Sequence, residues 1–267
     1  MEVIIRPNAD AAAQLVAQII AHDLRANPKL VLGLATGRTM ESVYCHLVRM
    51  HRESRLDFSL CQTFNLDEYV GLAASDANSY RHYMDELLFN EVNIDPRNTH
   101  LPDGCAADLD AECAAYESLI KRCGGIDVQL LGIGRAGHIG FNEPLSALMS
   151  RTRVKALAPR TLAQNAPQFD VSTRMPRRAI TMGVGTILES GRCLLLATGA
   201  EKAEIIAKAV EGPISSMISA TALQLHPHCT VIVDEAAAGA LAEQEYYRWI
   251  FENEPEWAAY RHLATPC

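Results

Sequence analysis

Short apolar runs recur along this chain, and most are separated by stretches with helical spacing. Residues 30–35, 126–131, 179–182, 193–198 and 230–233 are such runs, with 3–6 and 61–65 as shorter or more mixed ones. They lack the strict polar alternation of a strand with one wet face, so each asks for cover on both sides. The pattern predicts an α/β fold in which a mostly parallel sheet carries helices on both faces. Asn8 or Asp10 can cap a helix running to about Ala26, with Leu15, Val16, Ile19, Ile20 and Leu24 on one face. Asn78 or Ser79 starts another helix, Asp108 a third, and Glu235 onwards also reads as helical. Residues 165–178, with Pro167 and Pro176, read as a loop or lid.

The chain has 267 residues, 49% of them apolar, which is enough for one sizeable core, and no internal repeat or linker divides it. A net charge of −8 disfavours a general nucleic-acid binder. No apolar run reaches the length of a membrane span, and the amino terminus lacks the pattern of a secretory signal. Eight cysteines include no C-x-x-C pair, so they read as free thiols in a reducing cytoplasm, with no zinc-site spacing.

In parallel sheets, ligands sit outside the carboxyl ends of the strands. Each chemically suggestive cluster of this chain falls at such an end, which implies one active site. Thr36-Gly37-Arg38-Thr39 offers backbone N–H groups and hydroxyls at a helix amino terminus, a phosphate site by geometry. Gly199-Ala200-Glu201-Lys202 repeats the idea, with the lysine one turn inside a helix. Asp67-Glu68 follows a strand and can supply a base for a proton beside a carbonyl, Asp67 being nearer the strand end; a helix cap is the plainer alternative. Gly132-Ile133-Gly134-Arg135-Ala136-Gly137-His138 matches G-x-G-x-x-G, but Gly140, Asn142 and Pro144 break the helix that a dinucleotide site needs. His138 has no partner at metal-ligand spacing, which leaves a proton shuttle or a structural histidine, and Glu143 can orient its imidazole. His226-Pro227-His228 reads as a turn.

Taken together, these residues resemble the glucosamine-6-phosphate deaminase family. The matching blocks are Leu34-Ala35-Thr36-Gly37, Asn65-Leu66-Asp67-Glu68-Tyr69-Val70-Gly71 and Gly137-His138-Ile139-Gly140-Phe141-Asn142-Glu143-Pro144. Ser150-Arg151-Thr152-Arg153-Val154-Lys155, Thr181-Met182-Gly183-Val184-Gly185-Thr186 and Leu223-Gln224-Leu225-His226 add to them. The resemblance implies a Rossmann-like, doubly wound α/β fold over 1–267, a lid-like segment near 160–178, and no organic cofactor or metal. It implies conversion of glucosamine 6-phosphate and water to fructose 6-phosphate and ammonia in a cytoplasmic, homo-oligomeric enzyme. Within that reaction Asp67 would move the C2 proton, His138 with Glu143 would open the ring, and Thr36, Gly37, Arg38, Thr39 and Lys202 would hold the phosphate. Ser146, Arg153 and Lys155 match positions that bind an allosteric amino-sugar phosphate in some members.

Two departures stand out. The family usually has Asp or Asn before the Gly-His pair, where this chain has Ala136, and an arginine two residues after the lid asparagine, where it has Pro167. Arg38 stands where a small residue is common and is the expected replacement cation. The rival readings are a 6-phosphogluconolactonase-like hydrolase and a non-catalytic sugar-phosphate sensor.

Overall fold

A computed structural model describes residues 1–169 and 175–261. Seven strands form one parallel sheet: β1 (Glu2–Arg6), β2 (Val31–Leu34), β3 (Gln62–Asn65), β5 (Thr99–His100), β6 (Val128–Gly132), β9 (Arg192–Ala197) and β10 (Cys229–Asp234). Their order is β1-β10-β9-β6-β2-β3-β5. Every residue of β2 and β10 is buried, and because successive side chains point to opposite faces, both faces of the sheet are covered.

The helices start where the side-chain chemistry allows. Asn8 accepts the Ala11 N–H and opens α1 (Ala9–Ala26), whose buried face holds Leu15, Val16, Ile19, Ile20 and Leu24. Gly37, at φ +111°, turns the chain into α2 (Arg38–Ser54). Ser79 caps α3 (Tyr80–Met84), and Asp108 caps α4 (Leu109–Arg122) through the Asp110 and Ala111 N–H groups. α1 packs on α2 and on β10.

From β2 the chain moves outward through β3 and β5. It then returns to place β6 on the other side of β2 and continues through β9 and β10. The direction of winding reverses between β2 and β6, and this crevice is where open α/β sheets take their ligands. Thr36–Thr39 follow one of the two strands and Gly132–His138 the other.

The sequence pattern misplaces three segments. Residues 179–182 are not part of the parallel sheet: β8 (Arg178–Thr181) lies between β4 (Asp67–Tyr69) and β7 (Arg153–Ala156) in a separate antiparallel sheet. An apolar run reports burial on both faces, not the direction of its partners. Within the expected lid, α5 (Pro159–Asn165) is a helix, with proline in its first turn where the missing N–H costs nothing. Residues 170–174 of that lid lie outside the described residues. The last helix, α8 (Gln244–Asn253), starts later than expected. Before it the Asp234 carboxylate accepts the Ala237 N–H and Glu235 donates its N–H to Arg6, which holds residues 235–240 in turns. The short helices α6 (Val184–Leu188) and α7 (Ala203–Val210) complete the set.

Candidate active site

Asp67 and Glu68 are neighbours on β4 with opposite surroundings. The Glu68 carboxylate accepts three backbone N–H groups, from Tyr69 at 2.8 Å, Tyr80 at 3.0 Å and Arg81 at 3.0 Å. Those bonds make it the anchor of the α3 amino terminus. A cavity of about 450 Å³ opens on this Glu68 side, between α4 and the 99–104 loop, and Asp67 does not line it. Asp67 is buried without such a set of donors, and burial, with the charge of Glu68 added, pushes its pKa up to about 8. The Phe141 N–H opposes that shift.

The turn after β6 is built around its histidine. Gly134 donates its N–H to the His138 carbonyl at 2.9 Å, and a Cβ on Gly134 would lie 2.1 Å from His138 Nε2, so the imidazole occupies the space a side chain would need. Gly140, at φ +53°, presses its backbone onto Asp67: a Cβ there would stand 2.9 Å from Thr181 Oγ1 and 3.4 Å from Asp67 Oδ2. The loop is pinned by Thr181 Oγ1 accepting the Phe141 N–H at 3.0 Å and by Ser219 Oγ accepting the Ile139 N–H at 3.2 Å.

His138 Nδ1 stands 3.4 Å from Glu143 Oε2, within ion-pair range but outside hydrogen-bond geometry, and both atoms are buried without another partner. Thr161 Oγ1 is buried and unpartnered as well. Burial alone would raise the Glu143 carboxyl, but His138, Thr161 and the Ala158 N–H, which donates at 3.0 Å, outweigh it and hold the pKa below the usual glutamate value. At the position before the Gly137-His138 pair, where the family resemblance leads one to expect a polar residue, stands Ala136.

The phosphate candidates fall into two groups. Thr36, Gly37, Arg38 and Thr39 gather at the start of α2, where Gly37 also accepts the Tyr83 hydroxyl at 2.9 Å. Arg38 is exposed and makes no hydrogen bond or ion pair among the described residues. Lys202, expected one turn inside a helix, instead lies on the 3₁₀ turn Ala200–Lys202 ahead of α7. Asp234 accepts the Gly199 N–H at 3.0 Å and tightens that turn, and Lys202 Nζ then donates to the Ile133 carbonyl at 2.7 Å.

Of the expected regulatory residues, Ser146 is buried with an unpartnered hydroxyl, and Arg153 donates Nη1 to Asn142 Oδ1 at 2.9 Å while its Nη2 is buried without a partner. Lys155 lies two residues along β7, half-buried. Several site residues escaped the sequence reading. Tyr80 donates to the Tyr69 hydroxyl at 3.3 Å, and Asn165 of α5 donates Nδ2 to the same oxygen at 3.0 Å. Tyr80 also stacks on Phe141 and faces Thr36. Tyr69 was visible only as part of the Asn-Leu-Asp-Glu-Tyr block. His226, as expected, sits in a turn, with Nε2 2.8 Å from the Ser190 carbonyl. Among the described residues no three metal-ligating side chains converge.

Residues 7–232 match the model of the family of glucosamine-6-phosphate isomerases/6-phosphogluconolactonase. The chain belongs to this family. Within it, the glucosamine-6-phosphate deaminase of Arthrobacter sp. (strain FB24) is 48% identical over 257 residues, covering 96% of this chain and 99% of that protein. That of Cellvibrio japonicus (strain Ueda107) is 50% identical over 250 residues, covering 94% and 95%. Among solved structures, a monomeric glucosamine-6-phosphate deaminase superposes with a TM-score of 0.88 at 44% identity, covering 90% of this chain and all of that one. A 6-phosphogluconolactonase from Trypanosoma cruzi superposes with a TM-score of 0.73 at 19% identity and 90% and 97% coverage, a likeness of fold alone. This family member is therefore far nearer in sequence to the deaminases than to that lactonase.

Proposed function

We propose that this chain is a glucosamine-6-phosphate deaminase, releasing fructose 6-phosphate and ammonia from glucosamine 6-phosphate and water. The observation that carries the reading is the pairing of two unlike carboxylates across one loop: Asp67, raised to about 8, against Gly140, and Glu143, held low, beside His138. Carboxylates driven apart in this way divide the proton transfers between them.

His138 takes the anomeric hydroxyl proton and returns a proton to the ring oxygen, which opens the pyranose. Glu143 holds the imidazole and balances its charge. Asp67, once ionised, takes the proton from C2 and delivers it to C1, passing through an enolamine. The resulting C2 imine adds water and expels ammonia, leaving the ketose. Thr36, Gly37, Arg38, Thr39 and Lys202 hold the phosphate, and α5 with its Asn165 anchor forms one wall of a single working domain.

The test is the release of ammonia and fructose 6-phosphate from glucosamine 6-phosphate by purified protein, with Asp67→Asn alongside. Equal release of both products, lost in the variant, supports the reading. Hydrolysis of 6-phosphogluconolactone instead would favour the lactonase, and binding without turnover the sensor. Galactosamine 6-phosphate in parallel tests the preferred epimer.

The same proposal includes an anion site at Ser146, Arg153 and Lys155, supported by the buried, unpartnered Ser146 Oγ and Arg153 Nη2. Activation by an N-acetylated amino-sugar phosphate, absent in Arg153→Ala, is its expected sign. Self-association and a cytoplasmic location belong to it too. Exposed Leu145, whose N–H donates to the Ser216 carbonyl at 2.8 Å, and exposed Met217, the neighbour of Ser216 in sequence, offer apolar surface for the former. Sedimentation velocity decides between that and a monomer.

A further inference from the structure

Three cations converge on one side of the crevice between β2 and β6. Lys202 reaches in from the turn after β9, its ammonium fixed on the Ile133 carbonyl at 2.7 Å. That bond uses one of three N–H donors and leaves two for a ligand. Arg135 stands two residues beyond Ile133, exposed on the same glycine turn that carries His138. Arg160 stands exposed in the first turn of α5, two residues beyond Ala158, whose N–H donates to Glu143 at 3.0 Å. Each arginine is thus tied by a short stretch of backbone to one member of the His138–Glu143 pair.

The two guanidinium groups act on the Lys202 ammonium. Burial is the main cause that lowers its pKa, and the charges of Arg135 and Arg160 add to it, while Glu201 opposes them. Among the described residues, neither arginine makes a hydrogen bond or an ion pair of its own. By contrast Arg151, elsewhere on the surface, is held by Glu117 and Glu189. Three like charges gathered with a single opposing carboxylate are unfavourable until an anion enters between them. From the opposite side of the crevice comes α2, whose Met40 side chain packs 3.3 Å from where a Gly132 Cβ would be.

We propose that Arg135 and Arg160, with Lys202, form the cationic seat for a phosphomonoester dianion, and that this pair sets the preference for phosphorylated over free amino sugar. The proposal rests on the deaminase reading only for the identity of the sugar. A dianion together with the Glu201 carboxylate balances the three cations, and the planar guanidinium groups can each hold two phosphate oxygens.

The experiment compares Arg135→Ala, Arg160→Ala and the double variant with the wild type in two readouts. One is KM and kcat for glucosamine 6-phosphate, and the other is the dissociation constant of inorganic phosphate by calorimetry. Both side chains are exposed, so the fold does not depend on them; Arg25→Ala, on the distant end of α1, controls for the loss of one positive charge. Each single variant is expected to raise KM and the phosphate constant together by about tenfold, and the double variant by about a hundredfold, with kcat changed much less. Lysine at both positions should restore part of the loss.

A double variant that binds phosphate within twofold of wild type overturns the seat, whatever its activity, and so does a wild type that binds no phosphate. A wild type that binds phosphate through these arginines yet releases no ammonia overturns the deaminase reading and leaves the seat standing.

Discussion

Asn165 Nδ2 donates to the Tyr69 hydroxyl at 3.0 Å, and this bond joins the end of α5 to the strand that carries Asp67. Tyr69 also takes the Tyr80 hydroxyl, and Phe169 meets its ring edge-on at 5.5 Å between centroids. Asn165→Ala removes one buried hydrogen bond and leaves the Tyr69 hydroxyl short of a partner. The expected cost is about 1–2 kcal/mol, read as a fall in Tm of about 2–5 °C. If α5 is a wall of the site, kcat/KM falls about fivefold as well; a Tm shift with unchanged kinetics would confine Asn165 to a structural role.

Asp67 links activity to stability. Because burial raises its pKa from 3.8 to about 8, the folded chain holds this proton more tightly than the unfolded chain. The stabilising effect is full below the unfolded value and is lost as pH rises through that window. Asp67→Asn cannot ionise and escapes the loss. Its Tm is expected to exceed that of wild type at pH 8 and to converge with it near pH 4, while turnover drops by about a thousandfold or more. A variant less stable than wild type at pH 8 would contradict the assignment.

The same group sets the acid limb of the rate profile. A base must be ionised, so kcat/KM should rise about tenfold per pH unit and level off near the Asp67 pKa of about 8 in the free enzyme. A limb that levels off near 4 would show an Asp67 solvated like a surface carboxylate.

Gly134 provides a steric test of His138. Gly134→Ala places a methyl group where the imidazole lies, 2.1 Å from Nε2, so the ring must leave its present position. The expected loss in kcat is about a hundredfold with KM little changed, and proton NMR of the imidazole should show a changed environment. Retained kcat would remove His138 from the ring-opening step.

Leu145 carries local strain. It is 73% exposed and sits at φ +70°, a conformation that only glycine adopts freely. Leu145→Gly is expected to stabilise the chain by about 1 kcal/mol in urea unfolding, unless self-association buries the leucine, in which case the gain disappears at high protein concentration.

The caps at Asn8, Ser79 and Asp108 were legible because one side chain close to its own helix decides each. The strand-end clusters were legible because parallel topology fixes where loops can gather. The antiparallel β4-β8-β7 sheet was not, since Asp67 pairs with Thr181 across more than a hundred residues and no local pattern encodes that partner. In sequence only its place nearer the strand end favours Asp67 over Glu68, and the α3 amino terminus, folding onto Glu68, is what separates their chemistry. Arg135 and Arg160 carry no signal in the sequence because their relation to Lys202 exists only in three dimensions.

The edge strand β1 pairs in parallel with β10, Glu2 opposite Thr230. A ribosome adding roughly 5–20 residues per second needs on the order of ten to fifty seconds between those two positions. Throughout that interval Val3, Ile4 and Ile5 have no strand to join, so the nascent chain carries an unsatisfied sticky segment until β10 has been made. Chaperone dependence during synthesis should therefore be set by this one late pairing, and a circular permutant that begins at β2 and delivers β1 directly after β10 should shed it.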